Sequence, residues 1–503
     1  MLFGRVVGRR GRTFLGPLDQ GTNAMRGAEA LPRGLLPPEL IVQDELHLIS
    51  GPLGTLVGLY ETAIAALCER TDPHGRKVRP KVLAATATVR RAPKQIQALF
   101  GRRDVALFPP PAVDDSETFF ARVDRDSPGR RYVGVAASGR SMKAILLRAY
   151  VTLLAAAEHQ HDRSGKAGDQ VASPADAYMT LAGYFNSLRE LGGMRRLAED
   201  EVHSRVAQAE NRKPSSAQDR HRWFRNRKIA FTPVELTSRE KTSDIALARQ
   251  NLALRFNDKN AVDVLLASNM ISVGIDIDRL GLMVVGGQPK TTSEYIQATS
   301  RVGRDVNRPG LVVTCFNVMK PRDRSHYERF AAYHGGFYRF VEATSVTPFS
   351  GPALDRGLAG TLVAITRLLE ARLTPPVAAM DVEAHRALAE QAVGAIARRG
   401  QALPNLDAPT QERLVEALTR RGKSLVDAWI RLVDQAREAA AKRCYSPYDK
   451  DRTDKPMLFT VTDEDVPEPG TDDARFAAPT SMRDVERTVH VWVEPRALGG
   501  NRG

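Results

Sequence analysis

Cysteine is scarce: Cys68, Cys315 and Cys444 are the only three in 503 residues, and they stand far apart with no CxxC pair. That excludes a CxxC-type zinc site and a disulfide framework, and it points to a reducing compartment. Long apolar runs are also missing. The strongest, around residues 150–157, falls far short of the roughly 18 residues that span a bilayer. The N-terminal MLFGRVVGRRGRTF has arginines but no apolar stretch behind them, so it does not read as a secretory signal, and a cytoplasmic protein without membrane contact is expected. Gly (38) and Pro (30) are near the average of folded chains, which rules out collagen-like and low-complexity classes. At roughly 150 residues per domain the length fits about three domains. The formal net charge is +14, so the surface attracts polyanions such as nucleic acid, a statement about partners and not about fold.

Along residues 39–108 short apolar runs alternate with helical ones: PELIVQDE, LGTLVGLYETAIAALCER, KVLAATAT and APKQIQALF. Short buried strands separated by helices mark βαβ units around a parallel sheet. A PPP stretch and an acidic DDSE then break the pattern. RRYVGVAAS predicts a strand, SMKAILLRAYVTLLAAAEHQ a helix with Ser141 as N-cap, and residues 159–176 a polar loop. A second α/β series follows, with strands in YMTLAGYF, IAFTPVEL, AVDVLLASN, LGLMVVGG and GLVVTCFNV, and helices after Asn186, Ser243 and Ser293. Beyond His334 the periodicity is mostly helical, and ERTVHVWVEP predicts a terminal strand. The fold class expected is α/β, with RecA-like parallel sheets, one partial and one complete, followed by a mainly helical module. The expected bounds are 1–130, 131–335 and 336–503.

Three constellations carry chemistry. IVQDELH at 41–47 delivers two adjacent carboxylates at the end of a strand that should be buried. Nucleotide hydrolases place one such acid on Mg²⁺ and a second beside the attacking water, which would make Asp44 the Mg²⁺ acid and Glu45 the base; a solvated acidic loop fits the same residues. ATAT at 85–88 puts small hydroxyls at the end of the next strand, where they can bond the acidic loop, although ordinary strand-to-turn chemistry also favours them. LASNMISVGIDI at 266–277 precedes YIQATSRVGRD at 295–305, in which Arg301 and Arg304 flank Gly303. Such a fork at a helix end can reach a phosphate, and it also suits the helix dipole as a solvated basic terminus.

DELH, TAT, LASNMISVGIDI and YIQATSRVGR stand in the order and approximate spacing of motifs II, III, V and VI of superfamily 2 helicases, and the chain resembles that family. The resemblance implies ATP and Mg²⁺ as cofactors, with Asp44 and Glu45 in the acidic roles and His47 coupling them to a partner domain. It implies Thr86 and Thr88 linking hydrolysis to strand movement, Gly274 and Asp276 near the nucleotide, and Gln297, Arg301 and Arg304 facing its phosphates. Asn186 and Arg189, with Thr237 and Arg239, fall where related helicases hold strand phosphates. The basic, aromatic run NRKPSSAQDRHRWFRNRK at 211–228 is a second candidate contact, equally readable as a solvated loop anchored by Trp223.

LPPELIVQDELHLISGPLGT, FPPPAVDDSETFFA, GYFNSLRELGGMRRL and APTSMRDVE are similar to the helicase subunit of the DISARM phage-defence system. That similarity implies single-stranded or partly duplex DNA and other DISARM subunits as partners. One part of the helicase pattern is missing. No glycine-rich loop ending in Gly-Lys-Ser/Thr precedes Asp44, so an upstream segment supplying it is expected and the chain reads as the C-terminal part of a helicase or translocase. ALTRRGKS at 417–424 fits the loop loosely but lies in helical periodicity, with Gly422 expected to end one helix and Ser424 to cap the next. The alternatives are a non-hydrolysing nucleic-acid-binding scaffold and an RNA helicase.

Overall fold

The computed structural model describes residues 36–49, 51–86, 92–110, 113, 117–164, 173–211, 223–237, 240, 242–268, 271, 277–343, 346–445, 454–460, 463 and 466–479, with short strands at 6–7, 14–15 and 29–30. It divides into two compact units: residues 1–110 with 343–503, and residues 111–342. The helices beyond residue 343, expected as a separate module, therefore join the N-terminal segment.

In the first unit, β1 (Leu40–Gln43) pairs in parallel with β2 (Lys81–Ala84), joined through α1 (Gly51–Leu67), with α2 (Ala92–Phe100) after β2. Leu46, Ile49, Leu99 and Phe100 form a small core bordered by Val82 and Ile96. β1 is not the buried strand that its sequence predicts: Leu40 is 48% and Val42 66% exposed. The sheet to which it belongs has two strands, and the small core covers the side that carries Val82.

The second unit is built on a six-stranded sheet. Its strands are β3 (Arg131–Ala136), β4 (Leu181–Phe185), β5 (Val234–Leu236), β6 (Val264–Ala267), β7 (Leu282–Gly286) and β8 (Leu311–Phe316), in the order β5-β6-β4-β7-β8-β3. Every pairing is parallel. β4, β6 and β7 are buried along their whole length, which is why they read as continuous apolar runs rather than alternating ones. On one face pack α3 (Met142–Arg163) and α4 (Leu188–Leu197); on the other pack α5 (Thr242–Ala253) and α6 (Thr292–Thr299). Ser141 caps α3 as expected, its hydroxyl accepting from the Ala144 N–H at 3.3 Å. α3 runs to Arg163, into the stretch expected to be loop. The short helices α7 (Pro321–Glu328) and α8 (Phe330–Gly335) follow β8.

Returning to the first unit, α9 (Gly351–Leu369), α10 (Arg386–Gln401) and α11 (Ala408–Glu438) bury Leu362, Val393, Trp429 and Val433 together with Leu59 of α1. The expected break at Gly422 does not occur, and α11 passes straight through it. A Cβ on Gly422 would lie 2.8 Å from Val393 Cγ1, so the glycine answers a close helix-helix approach and not a helix end. The terminal strand expected in ERTVHVWVEP lies outside the described residues. All three cysteines are buried. No helix among the described residues is long and apolar enough to cross a membrane.

Candidate functional site

β1 ends where the acidic motif begins. The chain turns at once, because Glu45 sits in the left-handed region (φ 52°, ψ 45°) at the head of a single 3-10 turn over Leu46–Leu48. A non-glycine residue there is strained by about 1–3 kcal/mol, and its neighbours hold it. The Glu45 N–H donates to Asp44 Oδ1 at 2.8 Å, the Leu46 N–H to the Ala85 carbonyl at 2.9 Å, and the Ala85 N–H to the Gln43 carbonyl at 2.9 Å. The acidic turn is thus stitched to the end of β2 by backbone bonds.

The result places Asp44 exposed, Glu45 half-buried and the His47 side chain 5% exposed. His47 Nδ1 lies 3.3 Å from Glu45 Oε2 and 3.4 Å from Thr86 Oγ1, with the donor set by the imidazole tautomer. Four of the expected residues, Asp44, Glu45, His47 and Thr86, come together in this way. Thr88 lies outside the described residues. Among the described residues no group of three or more His, Cys, Asp or Glu could hold a metal alone. An exposed carboxylate such as Asp44 still suits Mg²⁺, which commonly takes one or two carboxylates and completes its shell with phosphate and water.

In the second unit α6 is capped by Thr291, whose hydroxyl accepts from the Glu294 N–H at 3.1 Å. The helix is pinned from beneath: Tyr295, fully buried, shares a 2.6 Å hydrogen bond with Thr314 of β8, and Tyr132 of β3 shares one of 3.1 Å with Thr299. Gln297 is buried, its amide donating to Ser293 Oγ at 3.0 Å. Arg301 is half-buried and Arg304 exposed, on the turn that follows. Arg130 holds that turn from behind, donating to the Val302 carbonyl at 2.8 Å and to the Ser300 carbonyl at 3.4 Å. Gly303 has φ +68°, and a Cβ there would lie 2.1 Å from the Gly310 nitrogen, so only glycine lets the two arginines leave the helix in this way. Gly274 and Asp276 lie outside the described residues.

At the carboxyl ends of β4, β7 and β8 a cavity of about 380 Å³ opens, lined by Lys143, Ser187, Arg189, Gly287, Lys320 and Asp323 among others. Parallel sheets place ligands at this edge. The Ser187 hydroxyl caps α4, accepting from the Glu190 N–H at 3.3 Å. Arg189 is exposed at the rim. Asn186 is a brace: its amide lies 3.3 Å from the Gln288 carbonyl and 3.4 Å from that of Gly286. Thr237 is wholly buried, its hydroxyl donating to Glu235 at 2.8 Å. Arg239 lies outside the described residues. Lys143 and Lys320 were not expected here. Lys143 stands two residues after the Ser141 cap, a pattern that could have drawn attention to it.

The basic run divides. Residues 212–222 lie outside the described residues. Trp223 is 48% exposed, and it is Phe224 that packs on the core. Arg227 is 2% exposed and donates to Asp263 Oδ1 and to the Met179 carbonyl, both at 2.7 Å, so it is a structural arginine.

Residues 217–306 match the helicase conserved C-terminal domain family. The chain is 45% identical over 349 residues to the DISARM protein DrmA of Bacillus paralicheniformis, covering 69% of this chain and 30% of that protein. Its structure is similar to the DUF1998 helicase MrfA bound to DNA, at 15% identity and a TM-score of 0.41 over 67% of this chain and 37% of that one. It is also similar to Mycobacterium smegmatis helicase Lhr bound to ssDNA and AMP-PNP, at 15% identity and a TM-score of 0.36 over 78% and 38%. The chain therefore spans about 30% of the length of the curated relative it matches. The chain thus has a segment that matches the helicase conserved C-terminal domain family, set on a six-stranded parallel sheet, and is similar to DISARM protein DrmA over more than two thirds of its residues.

Proposed function

We propose that this chain serves an ATP-dependent superfamily 2 DNA helicase or translocase in DISARM anti-phage defence. The observation that carries the reading is the acidic turn, in which His47 touches both Glu45 and Thr86. A water-orienting acid, a histidine and a strand-end hydroxyl in one line provide a path from the nucleotide to the rest of the unit. Bound Mg²⁺ would neutralise phosphate charge, with Asp44 its protein ligand. Glu45 would orient the attacking water. Gln297, Arg301 and Arg304 would bind phosphate oxygens, and Gly274 and Asp276 would approach the nucleotide. Arg189 would hold a DNA phosphate at the sheet's carboxyl edge, with Asn186 bracing the loop there. Arg239 is kept as a phosphate contact, and Thr237, being buried, serves as support for its strand end. Thr88 joins Thr86 in coupling. Other DISARM subunits are the proposed protein partners, and the cytoplasm is the proposed location.

The test is DNA-stimulated ATP hydrolysis by the protein that contains this chain. Glu45→Gln should lower turnover at least about 100-fold while DNA affinity stays within about threefold, since it removes water orientation and not the fold. A wild-type protein that binds DNA and hydrolyses no ATP would sink the reading.

A further inference from the structure

The first unit holds a second polar cavity that the helicase reading does not use. It measures about 230 Å³ and is lined by Thr62 of α1, Glu69, Lys77 and Arg79 of a small hairpin, and Arg398 and Arg399 of α10. Arg399 is 6% exposed. Its Nη2 donates to the Ala98 carbonyl at 2.6 Å, yet Nε and Nη1 are buried without a hydrogen-bond partner. Gly101 clears the space beside it: a Cβ at that position would stand 3.0 Å from Arg399 Nε.

The local charge does not balance. Glu69, the one acid lining the cavity, is taken by Lys77 and Arg79, each at 2.9 Å. Glu61 of α1 acts on Arg399 from beyond ion-pair distance; burial pushes its carboxyl up to about 7, against the pull of Arg399. Arg399 itself is lowered to about 10 by burial and then by Arg79, which leaves it cationic at neutral pH. A buried cation on the cavity wall with further arginines at the rim, where the lining acid is already paired, is an unfinished site, and what completes it is an anion.

We propose that this cavity binds a small oxyanion of the phosphate class, free or as the terminal group of a phosphomonoester, held by Arg399 from within and by Arg79 and Arg398 at the mouth. The volume lies below that of pockets that enclose whole drug-sized ligands, so the phosphate group and not a nucleoside is the occupant. The site goes beyond the helicase reading and does not depend on it.

The experiment is calorimetric titration of the full chain with orthophosphate in a phosphate-free buffer, with AMP and adenosine as further arms and sodium chloride as the ionic-strength control. Saturable binding of orthophosphate is expected, and adenosine should not bind. AMP binding as tightly as orthophosphate assigns the source to phosphomonoesters as well, and AMP failing to bind assigns it to the free anion. Arg79→Gln and Arg398→Gln, both exposed positions whose folding is checked by thermal unfolding, should each weaken binding about tenfold. Arg399→Lys, if folded, should do the same or worse. No saturable heat with orthophosphate overturns the proposal. So does equal affinity in wild type and both glutamine variants, or loss of binding in Arg304→Ala with retention in Arg79→Gln, which would move the anion to the second unit.

Discussion

His47 and Thr86 lie 3.4 Å apart, Nδ1 to Oγ1, and join the turn after β1 to the end of β2. With the Leu46 N–H on the Ala85 carbonyl and the Ala85 N–H on the Gln43 carbonyl, this contact ties the two strand ends together, here through side chains. Thr86→Val keeps the shape and removes the hydroxyl. If Thr86 couples hydrolysis to movement, ATP turnover should stay within about threefold while strand displacement falls about tenfold, with stability reduced by about 1 kcal/mol. Parallel measurement of the two rates decides it; equal losses would place Thr86 in the hydrolytic chemistry itself.

Gly303 sets the exit of Arg301 and Arg304. Gly303→Ala must change φ from +68° and meet the Gly310 backbone, so we expect destabilisation above about 3 kcal/mol. Gly139→Ala is the control: φ is +71° but nothing lies within 4 Å, and about 1 kcal/mol is expected. Urea unfolding of the two variants should separate them clearly. Similar costs would show that backbone strain alone, and not the contact with Gly310, fixes the turn.

Arg189 and Arg227 were both basic candidates for a nucleic-acid track, and burial separates them. Arg227→Ala strips the partner of Asp263 in the core and should cost about 3–5 kcal/mol. Arg189→Ala at the exposed rim should leave stability within about 0.5 kcal/mol and reduce the salt dependence of DNA binding by about one phosphate contact. Affinity measured against salt concentration, beside thermal unfolding, checks both. A salt slope unchanged by Arg189→Ala would remove it from the DNA path.

How far the sequence carried the reading follows from how local each signal is. The strands of the second unit were legible because burial on both faces makes LAGYF, VLLA and LMVVG continuous apolar runs, and the Ser141 cap because a cap is a contact within one turn. The acidic turn was legible as a motif, but not the left-handed Glu45 that shapes it, since glycine is what such a backbone normally requires. Gly422 misled for the opposite reason. A glycine after basic residues is a locally sound helix end, and the cause of this one is Val393, in a different helix. Thr237 and Arg227 carry polar groups suited to phosphate, and only the burial of Thr237 and the distant partner of Arg227, Asp263, reveal that both point inward.

Glu61 gives the last prediction, and its sign follows from the direction of its shift. Burial raises the folded carboxyl from 4.5 to about 7, against the opposing pull of Arg399. Between those values the folded chain holds a proton that the unfolded chain has released. Stability should therefore fall as pH rises from about 4.5 to about 7 and then level off, because above the folded value both states are ionised. Discounted for partial exposure, the contribution is on the order of 2 kcal/mol. Glu61→Gln keeps the size of the side chain and removes the titration. The variant should match wild type near pH 5 and exceed it near pH 8, as read by urea unfolding across the range. Superimposable pH profiles would mean that Glu61 is ionised in the folded state, and that Arg399 has its counter-charge after all.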